Sequence, residues 1–417
     1  MARIAILCPP YFSHVRLFEV LGDALASRGH EVHFILNAGA LPLVTSPTIA
    51  VHAVAGRRGD PGAAQVLRNA ERPSGLLGIR RTIHDSARLT DQLCAGAPAL
   101  LRRLGIEAVI GDQLEPAAFL VAAHLGLPAL AVASALPINR APGLPLPYLN
   151  WIFDPSPEGI KRAQGGERVA DWLSRKHYAV IEAWAKRWGL PRWRTLQDCL
   201  PASQVSQVLK GYDFPREEPA PFTSVGPIRR AEDPDQALPF TRDPAKPLVF
   251  ASLGTVQGHR WRLFRSIAKA VHAAGGQIGV AHCGKLSPRL AAKVGADWIT
   301  DFVPQRATLK VADLTVCHAG LNTVLDSIEA GVPVLARPIA FDQQGATARL
   351  IHYRLGERMQ PRQSALNRQV ARMLGDAELR KRVQALGATV PGAGGTARAV
   401  DIIEAALVQG SSRLVSP

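Results

Sequence analysis

The apolar run Arg3 to Leu7 opens into Pro9-Pro10-Tyr11-Phe12-Ser13-His14-Val15, so a histidine stands where a short strand gives way to a loop, just before the first helix. A neutral imidazole is the usual proton acceptor near neutral pH, and it needs a partner that holds its orientation. Asp112 closes a second apolar run, Ala108 to Gly111. A carboxylate at the same sheet edge would hold the imidazole and stabilise its charged form. His14 and Asp112 together suit removal of a proton from an attacking alcohol.

A second group of such residues lies between Asp301 and Gln343. The run Leu314 to Cys317 ends at His318, turns on Ala319-Gly320, and enters a helix with Asn322 and Thr323 near its first turn. Free N–H groups and the positive end of the helix dipole then face the loop, which suits an anion such as a diphosphate, with His318 as an added donor. Another strand ends near Pro338 and delivers Asp342-Gln343, a carboxylate and an amide able to grip sugar hydroxyls. Ser252-Leu253-Gly254-Thr255 follows the run beginning at Leu248 and by itself reads equally as a strand-terminal turn. Asp233-Pro234-Asp235 has metal-binding D-x-D spacing but lies off any strand end, and reads as a solvated turn.

These groups need a frame. Strand candidates Arg3 to Leu7, Val32 to Leu36, Ile49 to Val54, Ala108 to Gly111 and Ala129 to Ala133 alternate with helical patterns in the first half. Leu248 to Ser252, Gln277 to Ala281, Trp298 to Val303, Leu314 to Cys317 and Val332 to Ala336 repeat the rhythm in the second. That alternation predicts an α/β chain of parallel sheets wrapped by helices. At 417 residues the chain exceeds one core, so two domains are expected, residues 1–235 and 236–417, joined by the proline-rich and charged stretch Gly226 to Pro247. The first helix, from about Val15 to Ser27, has Leu17, Val20, Leu21, Ala24 and Leu25 on one face and a glycine cap at Gly29. The last, roughly Ala397 to Leu407, is expected to pack back on the first domain.

The segment Pro137 to Pro191 breaks the rhythm. Its first part is crowded with prolines, and Val169 to Trp188 is a helix candidate bearing Trp172, Trp184 and Trp188 among Lys and Arg. Two readings stand: a helix packed on its own domain, or an acceptor-binding or membrane-contacting element. The net charge of +15 suits nucleic acid, anionic lipid or a phosphorylated substrate. Without a dense basic tract or a zinc-finger, RRM or KH signature, nucleic acid is not an expected partner. Five scattered cysteines support neither a disulfide framework nor a zinc site. No signal peptide and no run of about eighteen apolar residues occurs, which points to a cytoplasmic protein.

The ordered set Phe302-Val303-Pro304-Gln305, His318-x-Gly320-x-Asn322-Thr323, Asp326, Gly331-Val332-Pro333 and Asp342-Gln343 resembles the nucleotide-sugar signature of the family 1, UDP-dependent glycosyltransferases, which have the two-domain GT-B fold. The resemblance implies two Rossmann-like domains facing across a cleft, with a UDP-sugar on the second. It implies that Phe302 stacks on uracil and Gln305 reaches the nucleoside, with Val303 part of the same donor-binding set. Asp326 would bind ribose; His318, Gly320, Asn322 and Thr323 the phosphates; Asp342 and Gln343 the sugar. It also makes Ser252 and Thr255 a second phosphate contact, and His14 and Asp112 the catalytic pair of an inverting transfer that needs no metal. The sequence departs from the family pattern at Phe302, Leu321 and Asp326, where tryptophan, tryptophan and glutamate are usual.

Further segments, Ser13-His14-Val15-Arg16, Asp112 through Pro116, Ala135 through Arg140, Asp213-Phe214-Pro215-Arg216 and Gln257-Gly258-His259-Arg260, resemble the carotenoid branch of that family, which glucosylates zeaxanthin. This implies UDP-glucose as donor, an apolar hydroxylated acceptor, and peripheral contact with the inner face of the membrane. Other acceptors, such as a sterol, macrolide or flavonoid, are the alternative. A GT-B nucleotide-sugar epimerase and a non-catalytic sugar-nucleotide or lipid-binding module are more distant readings. Gly392-Ala393-Gly394-Gly395-Thr396-Ala397 fits a dinucleotide fingerprint, but no convincing strand precedes it.

Overall fold

The computed structural model describes residues 1–56, 62–71, 75–218, 220–231 and 237–414. The first half forms a seven-stranded sheet ordered β3-β2-β1-β4-β5-β6-β7. Its strands are β1 (Arg3–Leu7), β2 (Glu31–Asn37), β3 (Ala50–Val54), β4 (Ala108–Asp112), β5 (Ala129–Ala133), β6 (Gln204–Ser206) and β7 (Thr223–Ser224). The second half forms a six-stranded sheet ordered β10-β9-β8-β11-β12-β13. These are β8 (Leu248–Ser252), β9 (Gln277–Ala281), β10 (Trp298–Thr300), β11 (Leu314–Cys317), β12 (Val334–Ala336) and β13 (Gly356–Arg358). Neighbouring strands pair in parallel, for example Ile4 with Val32 and Ala108, and Thr315 with Phe250 and Val334. Helices cover both faces, which is why the central strands read as unbroken apolar runs rather than alternating ones.

Both sheets reverse direction of growth beside their first strand, between β1 and β4 and between β8 and β11. Loops leaving the carboxyl ends of those strands diverge there and leave a crevice, the usual ligand position of open α/β sheets. One core lies around Phe18, Phe34, Ile110 and Val132 of the first half; the other, around Phe264, Ile278, Val316 and Leu325 of the second, also takes in Leu136, Val208 and Tyr212 of the first. The C-terminal helix, Gly395–Leu414, crosses to the first half. Ala399, Val400 and Ile403 join its core, and Asp401 and Glu404 both pair with Arg28 at 2.7 Å.

Several elements differ from the sequence-based expectation. The first helix begins at Phe12, so His14 lies inside its first turn rather than before it. Its end is as expected, with Gly29 at φ +88° donating to Ala26 O. β10 stops at Thr300, and Pro304 caps the next helix, leaving residues 301–304 as loop. The aromatic helix spans Pro157–Arg187, twelve residues longer at its start, because Ser156 accepts the Gly159 N–H and proline occupies the first turn. The 30-residue helix Gly75–Leu104, against which it packs, was not anticipated. The Asp233-Pro234-Asp235 triplet and the 235/236 boundary lie outside the described residues. Among the described residues, no helix is long and apolar enough to cross a membrane.

Candidate active site

His14 and Asp112 meet at the first switch point. The His14 Nδ1 lies 2.8 Å from Asp112 Oδ2. Ser134, one residue beyond β5, closes a triangle: its Oγ is 2.8 Å from the same Nδ1 and donates to Asp112 Oδ2 at 2.5 Å. The Leu114 N–H holds the other carboxylate oxygen at 2.8 Å. Nδ1 therefore carries the proton, and Nε2 is left to accept one. Burial works against an imidazolium at His14, but Asp112, by charge and hydrogen bond, and Asp342 outweigh it and hold the pKa above its ordinary value. Ser134 is a hydroxyl after an apolar run, and no sequence signal set it apart.

The second switch point faces the first. Leu136 N–H donates to Asp342 Oδ2 at 3.2 Å, and the Tyr11 and Phe341 rings lie 6.0 Å apart. Burial raises the Asp342 pKa, while the Leu136 N–H and His14 draw it down. Gln207, just past β6, donates both to the Ser134 carbonyl and to Asn322 Oδ1, the latter at 2.9 Å. One short chain of contacts thus joins the His14 triangle to the His318 loop, so the two groups line a common crevice.

His318 leaves β11 and lies between two glycines. A Cβ on Gly320 would sit 2.5 Å from its Nε2, and one on Gly254, at φ +71°, 2.7 Å from its Cε1. Only glycine at both positions lets the β8 and β11 loops close on the ring. Burial brings the His318 pKa down to about 4, with the Ser252 backbone opposing this, so the ring is neutral near pH 7 and could donate a hydrogen bond without charge. The following helix, Leu321–Glu329, makes its first internal bond from Val324 N–H to Gly320 O, leaving the N–H groups of Leu321, Asn322 and Thr323 for an anion. Ser252 Oγ accepts the Gly254 N–H at 3.3 Å, and Thr255 lies one residue further into that turn.

The remaining predicted residues divide. Phe302 is 60% exposed, an aromatic face free to stack, while Val303 packs inward against Phe250 and Leu309. Gln343 gives its carbonyl oxygen to the N–H groups of Ile339 and Ala340, both at 2.8 Å, so it shapes the loop that presents Asp342. Asp326 has both oxygens engaged: Oδ1 by Arg229 Nε at 2.8 Å and Oδ2 by Gln305 at 2.6 Å. Arg229 also donates to Gln207 and to the Asn322 carbonyl, at 3.0 and 3.3 Å. This arginine lies in the expected linker and was not anticipated from sequence.

The motif arginines sit away from the chemistry. Arg16 pairs with buried Glu19 at 2.6 Å. Arg260 bonds Gln257, which reaches Ala70 and Glu71 in the first half, where Glu71 also pairs with Lys285 at 2.6 Å. Asp213 of the Asp-Phe-Pro-Arg segment binds Arg216 at 2.8 Å and Arg349 at 2.7 Å, tying the halves together.

Residues 208–363 match the family described as UDP-glucoronosyl and UDP-glucosyl transferase. The chain is also 38% identical over 419 residues to a zeaxanthin glucosyltransferase of Pantoea ananas, covering 98% of this chain and 97% of that one. The chain belongs to this UDP-glycosyltransferase family. A zeaxanthin glucosyltransferase of Pseudescherichia vulneris is 39% identical over 99% of this glycosyltransferase and 100% of its relative. Among solved structures, the calicheamicin glycosyltransferase CalG4 superposes with a TM-score of 0.72 at 20% identity, covering 100% of both chains. The family and the two facing parallel sheets establish a glycosyltransferase of GT-B fold.

Proposed function

We propose that this glycosyltransferase moves glucose from UDP-glucose to the ring hydroxyls of zeaxanthin, one end and then the other, with inversion and without a metal. The observation that carries the chemistry is the His14–Asp112 contact at 2.8 Å, opposite Asp342 and the His318 loop. The acceptor rests on the likeness to two zeaxanthin glucosyltransferases over nearly the whole chain.

In this reading the acceptor O–H gives its proton to His14 Nε2 as its oxygen bonds to the anomeric carbon from the face opposite the phosphate. The bond from that carbon to the phosphate oxygen breaks, and UDP leaves with the electron pair. Its charge is met by the N–H groups of Leu321, Asn322 and Thr323, by neutral His318, and by Ser252 and Thr255. Asp342 and Gln343 hold the sugar, Phe302 and Gln305 the base. Asp326 acts on the ribose side together with Arg229, since its oxygens are already shared. The protein works in the cytoplasm at the inner face of the membrane, where an apolar diol resides.

The test is incubation of the pure protein with UDP-glucose and a panel of hydroxylated carotenoids, flavonoids and sterols, with EDTA present. A carotenoid diol becomes more polar in two chromatographic steps, and NMR of the product gives the β-anomer. Dependence on magnesium, a retained α-linkage, or turnover of small polar alcohols alone would overturn the reading.

A further inference from the structure

More than half of the strongly exposed large apolar side chains among the described residues gather in one region: Leu77, Ile79, Tyr148, Ile152, Val169 and Trp172. They come from three segments, the first turns of the Gly75–Leu104 helix, the proline-rich stretch 137–157, and the outer side of the Pro157–Arg187 helix. Val169, Trp172 and Lys176 recur at helical spacing on that outer side, while Ala170, His177, Ile181 and Trp184 are buried against the domain. The inner face bears out a helix packed on its own domain, and the outer face is the part the other reading concerns.

Between the two helices lies a recess of about 160 Å³ in which Arg80, Arg81, Arg175 and Lys176 surround Trp172, with no acidic residue among its lining. Arg175 sits 4.9 Å over the Trp172 ring, and Trp172 is 58% exposed. An apolar patch with an aromatic at its centre and cations around it matches the boundary of a bilayer, where rings sit at headgroup level and guanidiniums meet phosphates. A second copy would bring the same cations and a net charge of +15 to the contact. Charge complementarity thus selects an anionic partner.

The patch is continuous with the active-site crevice through the proline-rich stretch. Trp151 packs on the aromatic helix, where a Cβ on Gly166 would meet its ring at 3.0 Å. The Pro147 carbonyl accepts the Gly345 N–H at 2.9 Å, two residues from Gln343. Leu136 touches Asp342. We infer that this face docks on a membrane by binding anionic phospholipid, and that residues 136–157 form the path by which a bilayer-resident acceptor reaches His14. The docking stands on the patch itself; only the path rests on the acceptor reading proposed above.

The experiment is sedimentation of the full chain with vesicles of phosphatidylcholine alone, or of phosphatidylcholine mixed with phosphatidylglycerol. The protein is expected to partition to the mixed vesicles only. Each cation near such a surface is worth about a fivefold change, so R80Q/R81Q/R175Q lowers partitioning by roughly a hundredfold. L77S/W172S lowers it as well. Both variants keep the wild-type melting temperature and UDP affinity, and both glucosylate detergent-solubilised diol at the wild-type rate while losing turnover of vesicle-embedded diol. Equal binding to the two vesicle types, wild-type binding by both variants, or competition by inorganic phosphate at concentrations that spare lipid contact would overturn the docking face. Vesicle binding without turnover of any carotenoid leaves the docking face standing and removes the acceptor.

Discussion

Arg229 Nε donates to Asp326 Oδ1 at 2.8 Å, so the carboxylate aligned with the family's ribose-binding acid is held by a guanidinium from the interdomain connection. The same guanidinium reaches Gln207 of the first half and the Asn322 carbonyl of the second. Arg229 therefore couples Asp326 and Asn322 to the placement of the two lobes. Lysine cannot reproduce this planar fork. Arg229→Lys forfeits charge-assisted hydrogen bonds worth about 1.5–3 kcal/mol and raises the donor KM by roughly tenfold to a hundredfold, with kcat changed less. A double-mutant cycle with Asp326→Asn gives a coupling of about 0.5–3 kcal/mol. A KM unchanged in Arg229→Lys would show that the contact is structural only.

In the proposed mechanism the His14 triangle sets the pH response. The base must be neutral, so kcat/KM falls as pH drops through the His14 pKa, which Asp112 and Asp342 hold above its ordinary 6.5 against the effect of burial. Asp112→Asn removes the larger support, and burial then moves the acid limb to lower pH. The kcat falls by about 10²- to 10⁴-fold because the tautomer is no longer held. Folding follows the opposite sense: the stability contributed by this raised pKa is complete below the unfolded value and is lost as pH rises through the folded one. A kcat/KM profile with its limb at the same pH in both proteins would count against His14 as the base.

Gly254 and Gly320 enclose His318. Gly320→Ala places a methyl 2.5 Å from the imidazole Nε2, and Gly254→Ala adds a left-handed backbone at φ +71° to a similar clash. Each costs about 1–3 kcal/mol of stability and weakens UDP binding measured by calorimetry. Adding His318→Ala restores the stability of Gly320→Ala without restoring UDP affinity. If Gly320→Ala alone binds UDP like the parent, the phosphates do not sit in this loop.

Asp213 and Arg349 form a buried pair across the halves, with Arg349 only 1% exposed. Burial opposes ionisation of Asp213, and Arg349 and Arg216 overcome it, so its pKa lies below the usual carboxylate value. Asp213→Asn strands a buried guanidinium and lowers unfolding free energy by about 3–5 kcal/mol in urea. Breaking the exposed Lys210–Glu218 pair leaves the midpoint unchanged.

Much of the fold was legible because its signals are short-range. The runs Ile4 to Leu7 and Ala108 to Gly111 are apolar on both faces, as is Leu314 to Cys317 apart from Thr315, and each leads into a loop. The Gly75–Leu104 helix was missed because its amphipathic pattern interrupts the strand-helix rhythm with an element longer than a crossover needs. Ser134, Gln207 and Arg229 were missed for a different reason. They are ordinary polar residues whose importance comes from partners 22 to 120 positions away.

By itself, the sequence determined the central strands of the two sheets, though not the outer strands β6, β7 and β13, the placing of His14, Asp112, His318 and Asp342 after those central strands, and membership of the family, because local hydrophobic periodicity and ordered motifs are written in consecutive residues. Only the tertiary structure decided that Leu136 meets Asp342 across 206 positions, that Asp326 is shared with Arg229, and that Trp172 points outward while Trp184 points in. Those outcomes depend on how the two lobes and their helices pack, a long-range balance of burial and charge that no window of sequence contains.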